Sequence, residues 1–399
     1  MAMRLRHFLR TLTLAVAATA AIAVSAGSIR QDQSAARIVA IADIHGAGDA
    51  LVGILQAAGL IDTQKHWNGG SATFVQTGDY LDRGADVRQI MDLLMALEDE
   101  ARKAGGRAEI LMGNHEAMNI LRELRDTSPA ALATFADDRS EDRRGKAYDA
   151  YTSAAKKVGA DPLSRDQWMT AHPPGFVEYM EALGARGKYG KWLRDRKVIL
   201  KLGDTIFMHA GLSPEINGST DDVNRDVAQA IRAWDETTEM MTRQGVIQPF
   251  FTLKETLAAA DAELQQIAAA LKQGREPGQG VTTDYVNHLN ELAKIGSSPL
   301  IAPDGPLWFR GLAQWTSPDN DAVVAALVQR FGVKRFVIGH TPQLPGKIAP
   351  RFGGMVFPID TGMLSTFFKG GRASALELQG SRITAIYTNE REVLNEGKQ

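Results

Sequence analysis

Short apolar runs recur along the chain, and several end in a polar residue flanked by glycine. Thr73-Phe74-Val75 leads into Gly78-Asp79-Tyr80-Leu81-Asp82-Arg83-Gly84, and Ile38-Val39-Ala40-Ile41-Ala42 leads into Asp43-Ile44-His45-Gly46. Ala108-Glu109-Ile110-Leu111-Met112 leads likewise into Gly113-Asn114-His115-Glu116. Runs bounded in this way read as buried strands. Between them the spacing becomes helical: Leu51, Ile54, Leu55 and Ala58, then Val87, Ile90, Met91, Leu94 and Leu97. The first third therefore predicts β-α-β-α-β, with three strand ends aiming polar side chains at one rim, where α/β folds place ligands.

From Glu116 to about Arg196 the pattern turns helical and charged, and residues 137–144 hold seven charges in eight positions. That run reads as a solvated surface. Strands resume at Lys197-Val198-Ile199-Leu200 and Thr205-Ile206-Phe207-Met208, on either side of the turn Gly203-Asp204. A second helical stretch covers residues 221–273. Its stripe of Leu253, Leu257, Ala260, Leu264, Ile267, Ala268 and Leu271 is expected to be core. After a glycine-rich loop at 274–280 the chain returns to β. Arg335-Phe336-Val337-Ile338 ends in Gly339-His340-Thr341-Pro342, Met355-Val356-Phe357-Pro358-Ile359 ends in Asp360-Thr361-Gly362, and residues 373–378 and 383–387 read as a terminal hairpin. There is no internal repeat.

The N-terminus stands apart from this alternation. Arg4, Arg6 and Arg10 precede an apolar stretch at 12–24, and Val24-Ser25-Ala26 fits a small-residue cleavage site before Gly27. The stretch is shorter than the ~20 residues of an ordinary spanning helix. Residues 1–26 are therefore expected to be a secretory signal and residues 27–399 one domain, periplasmic or secreted. An uncleaved N-terminal anchor is the alternative.

Composition narrows the chemistry. With 45 basic and 47 acidic residues in 399, no polyanion-binding surface is indicated, and nucleic acid is not an expected partner. The 44% of apolar residues can build a large core. There is no cysteine, which excludes a disulfide framework, a thiolate metal site and a cysteine nucleophile. Any metal must sit on nitrogen and oxygen.

Four of the eight histidines, His45, His115, His209 and His340, follow β-like runs and neighbour glycine, alanine or asparagine. Together with Asp43, Asp79 and Asn114 they make a set that packing alone does not explain. His7, His66, His172 and His288 receive no role. Nitrogen and oxygen donors suit Mn, Fe, Zn or similar divalent ions. Asp43 and His45 are two apart on a segment read as extended, so both can face one way, and Asp79 on a neighbouring strand can bridge two ions. Two metals ~3.5–4 Å apart clamp a phosphoryl oxygen and activate a shared water for in-line attack. Arg83 and His115 are available to hold the phosphate and to protonate the leaving group.

The series Asp-Ile-His-Gly, Gly-Asp-Tyr-Leu-Asp-Arg-Gly, Gly-Asn-His-Glu, His-Ala-Gly-Leu-Ser-Pro and Gly-His-Thr-Pro, in this order over residues 38–362, resembles the calcineurin-like metallophosphoesterases. The resemblance is to the phosphoprotein phosphatase branch and its bacterial, Shewanella-like members. It implies an α/β fold, a β-sandwich of two mixed sheets flanked by helices, with a dimetal site at one edge. Carried over by residue, it implies that Asp43 and His45 hold one metal, that Asp79 bridges, and that Asn114, His209 and His340 complete the second. His115 would be the general acid oriented by Asp82, Arg83 would contact the phosphate, and Arg310 would be a second clamp. Two divalent ions are implied, Mn first, with Fe or Zn as alternatives.

Ala42 and Ala210 stand where eukaryotic-type members usually carry glycine, and neither change removes a ligand. Helical insertions at about 117–195 and 215–300 would border the site and leave substrate choice open. The expected substrate is a phosphorylated Ser, Thr or Tyr of a protein or peptide. A small phosphomonoester or dinucleotide polyphosphate is the alternative, since His-Ala-Gly-Leu and Gly-His-Thr-Pro also resemble symmetrical diadenosine tetraphosphatases. A non-catalytic phosphoprotein binder is disfavoured, because no ligand is missing. Glu116 is expected to cap its helix or orient backbone, Asp360 to serve a turn or touch substrate, and Trp308 and Phe309 to be core.

Overall fold

Along the first strand, β1 (Arg37–Ile41), Val39 and Ile41 face one apolar cluster while Ala40 faces another, and all three are fully buried. The computed structural model describes residues 36–396 apart from 158 and 279. The expected signal at 1–26 lies outside the described residues. β2 (Thr73–Gln76) and β3 (Arg107–Ile110) continue the chain, followed by β4 (Ile199–Leu202), β5 (Thr205–Met208), β6 (Arg335–Ile338), β7 (Val356–Pro358), β8 (Ser374–Gln379), β9 (Arg382–Tyr387) and β10 (Arg391–Asn395). Six strands form one sheet in the order β10-β9-β8-β1-β2-β3, and four form the other as β4-β5-β6-β7. β1, β2 and β3 run parallel, as do β5, β6 and β7, while antiparallel pairs complete both sheets.

The alternation recurs in the second sheet. Phe207 of β5, Val337 of β6 and Phe357 of β7 share one cluster with Val75, Leu376 and Ala40 of the first sheet. Ile206, Met208, Phe336, Ile338 and Val356 point the other way, into the cluster that helices also enter. Two sheets thus pack face to face with helices outside them, which is the expected sandwich. Strands buried on both faces read as unbroken apolar runs, and that is why they were visible in sequence. Each fully buried Leu, Ile or Phe here is worth roughly 1.5–3 kcal/mol against exposure.

β10 has no such signal. Its sequence Arg-Glu-Val-Leu-Asn is largely exposed at the sheet edge, where charge blunts further pairing.

Helices fill the two stretches read as helical, among them Ser140–Lys157, Arg165–Ala171 and Phe176–Leu183 in the first, and Thr220–Arg243, Leu253–Lys272 and Thr283–Leu292 in the second. Two expectations need correction. Residues 137–144 are not uniformly solvated, because Arg144 is buried and donates to the carbonyls of His172 at 2.7 Å and Met169 at 2.6 Å. It satisfies carbonyls left open at the end of Arg165–Ala171. The apolar stripe of Leu253–Lys272 also leaves the core before it ends. Leu253, Ala260 and Ile267 are buried, whereas Ala268 and Leu271 are exposed. No described helix is long and apolar enough to cross a membrane.

His172 stacks on Trp168 at 4.1 Å between ring centroids, and its Nδ1 contacts the Trp168 carbonyl at 2.7 Å. Glu255 and Arg144 are the charged groups that act on it. Burial lowers its pKa below the ordinary value, outweighing the help from Trp168 and Glu255. A depressed histidine leaves stability at full value above about pH 6.5 and removes it as pH falls from there towards the folded-state pKa. Replacing His172 with Gln is expected to remove that fall, so the stability difference between variant and parent changes by up to about 1.4 kcal/mol per pH unit below 6.5. Urea unfolding at pH 7.5 and 5.5 measures it, and parallel pH profiles would contradict it.

Candidate metal centre and active site

Both sheets send the carboxyl ends of their parallel strands to the same rim. β1 delivers Asp43 and His45, β2 delivers Asp79, Asp82 and Arg83, and β3 delivers Asn114 and His115 at the start of the helix Asn114–Ile120. β5 delivers His209 and β6 delivers His340. The backbone at these ends is turned sharply. His45, Asp79, Asp82, Arg83 and His340 all have positive φ, between 48° and 67°, although none is glycine. Left-handed non-glycine residues hold that shape only where the surroundings enforce it. Asp43 and His45 therefore converge through a turn and not, as the sequence suggested, along an extended segment.

Glu116 enforces part of this geometry. Fully buried, it accepts N–H groups of Asp79 and Gly113 on one oxygen, at 2.7 and 2.8 Å, and of Tyr80 and Leu81 on the other, both at 3.0 Å. Burial and Asp79 push its pKa up to about 8, while the N–H donors favour the anion. Glycine is required where backbone meets carboxylate: a Cβ on Gly113 would lie 2.2 Å from Asp79 Oδ1, and one on Gly339 would lie 2.4 Å from Asp43 Oδ1.

The side chains form two clusters that share Asp79. On one side, Asn114 Oδ1 and His340 Nδ1 lie 2.8 and 3.0 Å from His209 Nε2, which is 3.3 Å from Asp79 Oδ2. On the other, His45 Nε2 is 3.7 Å from Asp43 Oδ2 and 3.6 Å from Asp79 Oδ2. His115 Nε2 also approaches Asp79 Oδ2, at 3.8 Å. The far nitrogens of His45 and His209 face the carbonyls of Leu81 and Thr77, at 3.1 and 3.2 Å, which leaves each Nε2 free to coordinate.

Protonation agrees with ligation. Burial drives His45 to about 3 and His340 to about 2, so both rings are neutral. Burial opposes the charge on Asp79, but His209, His115 and His45 outweigh it and hold the carboxyl well below its usual range. Donor spacings of this size, around ring nitrogens and carboxylates alone, fit divalent ions bonded at about 2 Å.

His115 is set apart by its second nitrogen. Nδ1 lies 2.8 Å from Asp82 Oδ2, and Nε2 lies 3.2 Å from an Arg83 amino group. Burial disfavours the imidazolium, yet Asp79 and the hydrogen-bonded Asp82 outweigh it and raise the pKa above the ordinary value.

Asp82 is itself held by residues that the sequence reading passed over. Asn119 donates to Oδ2 at 3.0 Å, Thr127 donates to Oδ1 at 2.6 Å, and the Tyr179 hydroxyl donates to Asn119 Oδ1 at 2.6 Å. Asn119 lies one helical turn beyond His115, so its spacing was a usable signal. Thr127 and Tyr179 had none.

Asp43, His45, Asp79, Arg83, Asn114, His115, Arg310 and His340 all line one cavity of about 220 Å³, and Asp82 and His209 stand behind its wall. Arg310 donates to the His340 carbonyl at 2.8 Å and to Thr341 Oγ1 at 3.0 Å. Trp308, half-buried, packs against the main core and also lines the cavity, while Phe309 packs on Trp315 at 5.3 Å.

Replacing Glu116 with Gln turns one acceptor oxygen into an N–H₂ that faces two backbone N–H donors. The expected loss is about 1–3 kcal/mol of stability, measured by urea unfolding of the metal-free protein. A change under about 0.5 kcal/mol, ordinary for a surface substitution, would contradict this account of the turn.

Comparison with known proteins agrees with the fold. Shewanella-like protein phosphatase 2 of Arabidopsis thaliana is 32% identical over 204 residues, 50% of this chain and 51% of that protein. Shewanella-like protein phosphatase 1 of Plasmodium berghei is 26% identical over 355 residues, covering 88% and 74% of the two chains. The crystal structure of a cold-active protein-tyrosine phosphatase from a psychrophilic Shewanella superposes with a TM-score of 0.53 at 24% identity, covering 90% of this chain and 80% of that one. Residues 36–236 match the calcineurin-like phosphoesterase family model, and the two-sheet fold and the paired His and Asp clusters accord with it: this chain belongs to that family of phosphoester hydrolases.

Proposed function

We propose that the chain is a dimetal phosphomonoesterase acting on phosphorylated Ser, Thr or Tyr side chains of proteins or peptides. The observation that carries the reading is the convergence of two donor clusters on Asp79 beside an imidazole already paired with a carboxylate. Asp43, His45 and Asp79 would hold one ion, and Asp79, Asn114, His209 and His340 the other. Two divalent ions bound there, Mn in the first instance, supply Lewis-acid polarisation of the phosphoryl group and acidify water.

The residues of the chain do the rest. Arg83 and Arg310 hold the phosphoryl oxygens and balance their charge. Arg83 now donates to His115 Nε2, so a phosphate that draws the guanidinium away frees that nitrogen. His115, kept protonatable by Asp79 and Asp82, takes up a solvent proton at the freed Nε2 and passes it to the leaving oxygen. Asp82 keeps the ring oriented, and Asn119 and Thr127 keep Asp82 in place.

A peptide substrate is supported by the surface beside the cavity. A groove of about 540 Å³, lined by Met118, Leu253, Ile301 and Pro303, shares Arg125, Trp308 and Arg310 with the cavity or its wall. Apolar walls continuous with a cavity that carries Arg83, Arg125 and Arg310 suit a chain that carries a phosphate on one side chain. On the same reading, the signal at 1–26 exports the enzyme, and its substrates lie outside the cytoplasm.

The test is phosphate release after chelation and restoration of Mn, with a phosphotyrosine peptide, a phosphothreonine peptide and diadenosine tetraphosphate side by side. Metal-dependent release from a peptide is expected, with His115→Asn lowering turnover by about 10²–10⁴. Release from the dinucleotide alone would overturn the peptide assignment, and a loss below tenfold in His115→Asn would overturn the acid role.

A further inference from the structure

Every parallel strand that ends at the rim delivers a side chain to the cavity or its wall, and the contribution of β7 has no task so far. β7 runs through Ile359 into Asp360, which is only 1% exposed and lines the cavity with Asp43, His45, Asp79 and His340. One half of its carboxylate is accounted for. Oδ1 accepts the Gly362 N–H at 2.9 Å and closes a local turn. The other half is not. Oδ2 is buried and has no hydrogen-bond partner among the described residues.

A turn requires Oδ1 alone, and a buried carboxylate oxygen left unpaired forfeits its hydration with nothing in return. No lysine or arginine forms an ion pair with Asp360 among the described residues, although Arg83 and Arg310 line the same cavity. Three buried carboxylates, of Asp43, Asp79 and Asp360, therefore face one space and repel one another. A cation there makes the three compatible as anions.

The backbone ties Asp360 to the loop that Asp43 holds. The segment after β6 is pinned to Asp43 by the His340 N–H, which donates to Asp43 Oδ1 at 2.9 Å, and to Asp360 by the Gln343 N–H, which donates to its carbonyl at 2.8 Å. The Asp43–His45 side is the poorer in ligands, with three protein donors counting Asp79 against four on the other side.

Direct coordination is disfavoured by distance. The carboxylates that flank the histidines lie 3.3–3.8 Å from a ring nitrogen, whereas no histidine nitrogen lies within 4.0 Å of Asp360 among the described residues. One water spans such a gap, and a cavity of about 220 Å³ has room for it.

We propose that Asp360 is an outer carboxylate of the metal centre, accepting through Oδ2 a hydrogen bond from a water that completes the ligand shell on the Asp43–His45 side. This rests on the dimetal reading above. Asp360 is a positioning residue in this role: it orients a ligand and touches neither the phosphate nor the leaving group.

Mn binding to the metal-stripped full chain tests it, by calorimetric titration of the parent, Asp360→Asn and Asp360→Ser. Both variants keep an acceptor for the Gly362 N–H and lose the outward anion. The parent is expected to bind two ions. Each variant is expected to bind one of them 10–100-fold more weakly, the usual scale for such outer partners, and the other unchanged. The metal-free melting temperature should stay the same or rise, since an unpaired buried charge has been removed. Affinities within twofold of the parent at both sites would overturn the proposal and leave the dimetal reading intact. Equal weakening of both ions together with a fall in metal-free melting temperature would overturn it in favour of a purely structural turn. A parent that binds fewer than two ions would overturn the dimetal reading itself.

Discussion

The structure depends on holding one buried carboxylate, that of Asp79, in a left-handed turn among histidines. Its backbone carbonyl accepts the N–H groups of Ile44 and His45, at 2.8 and 3.0 Å, so the β2 loop fixes the β1 loop. Its Oδ1 accepts the His115 N–H at 3.0 Å, which fixes the first turn of the helix after β3. Its Oδ2 faces His209, His45 and His115 at 3.3, 3.6 and 3.8 Å. One side chain thus ties three strand ends of one sheet to a strand end of the other.

Such an arrangement stores strain and charge, and the fold supplies the restraint. The sandwich fixes the strand ends, Glu116 gathers four backbone N–H groups behind the turn, and glycines at 113 and 339 let backbone approach the carboxylates. Five of the eight non-glycine residues with positive φ among those described belong to this rim. Backbone strain concentrates where ligands are expected to bind, which is the usual place for a fold to depart from local preference.

The strands and the site motifs were legible in sequence because both rest on local pattern, and the two-sheet sandwich followed from the family resemblance that those motifs carry. Strands buried on both faces gave unbroken apolar runs, and each ended in a glycine-flanked motif that the turn geometry requires. What escaped was long-range. Thr127 and Tyr179 reach Asp82 or its partner from 45 and 60 residues away, with nothing in their neighbourhood to mark them. Arg144 sat inside a charged run and looked solvated, yet it closes a helix end. β10 is an exposed edge and lacks an inward face. Asp360 was visible as a strand end, but its unpaired oxygen is a property of the folded cavity alone.

The most direct measurement of the central claim is anomalous diffraction from crystals of this protein grown with Mn. Two peaks about 3.5–4 Å apart, one on each side of Asp79, with His45 and Asp43 at one and His209, His340 and Asn114 at the other, are the predicted result. A single peak, or peaks that do not contact Asp79, would contradict the account.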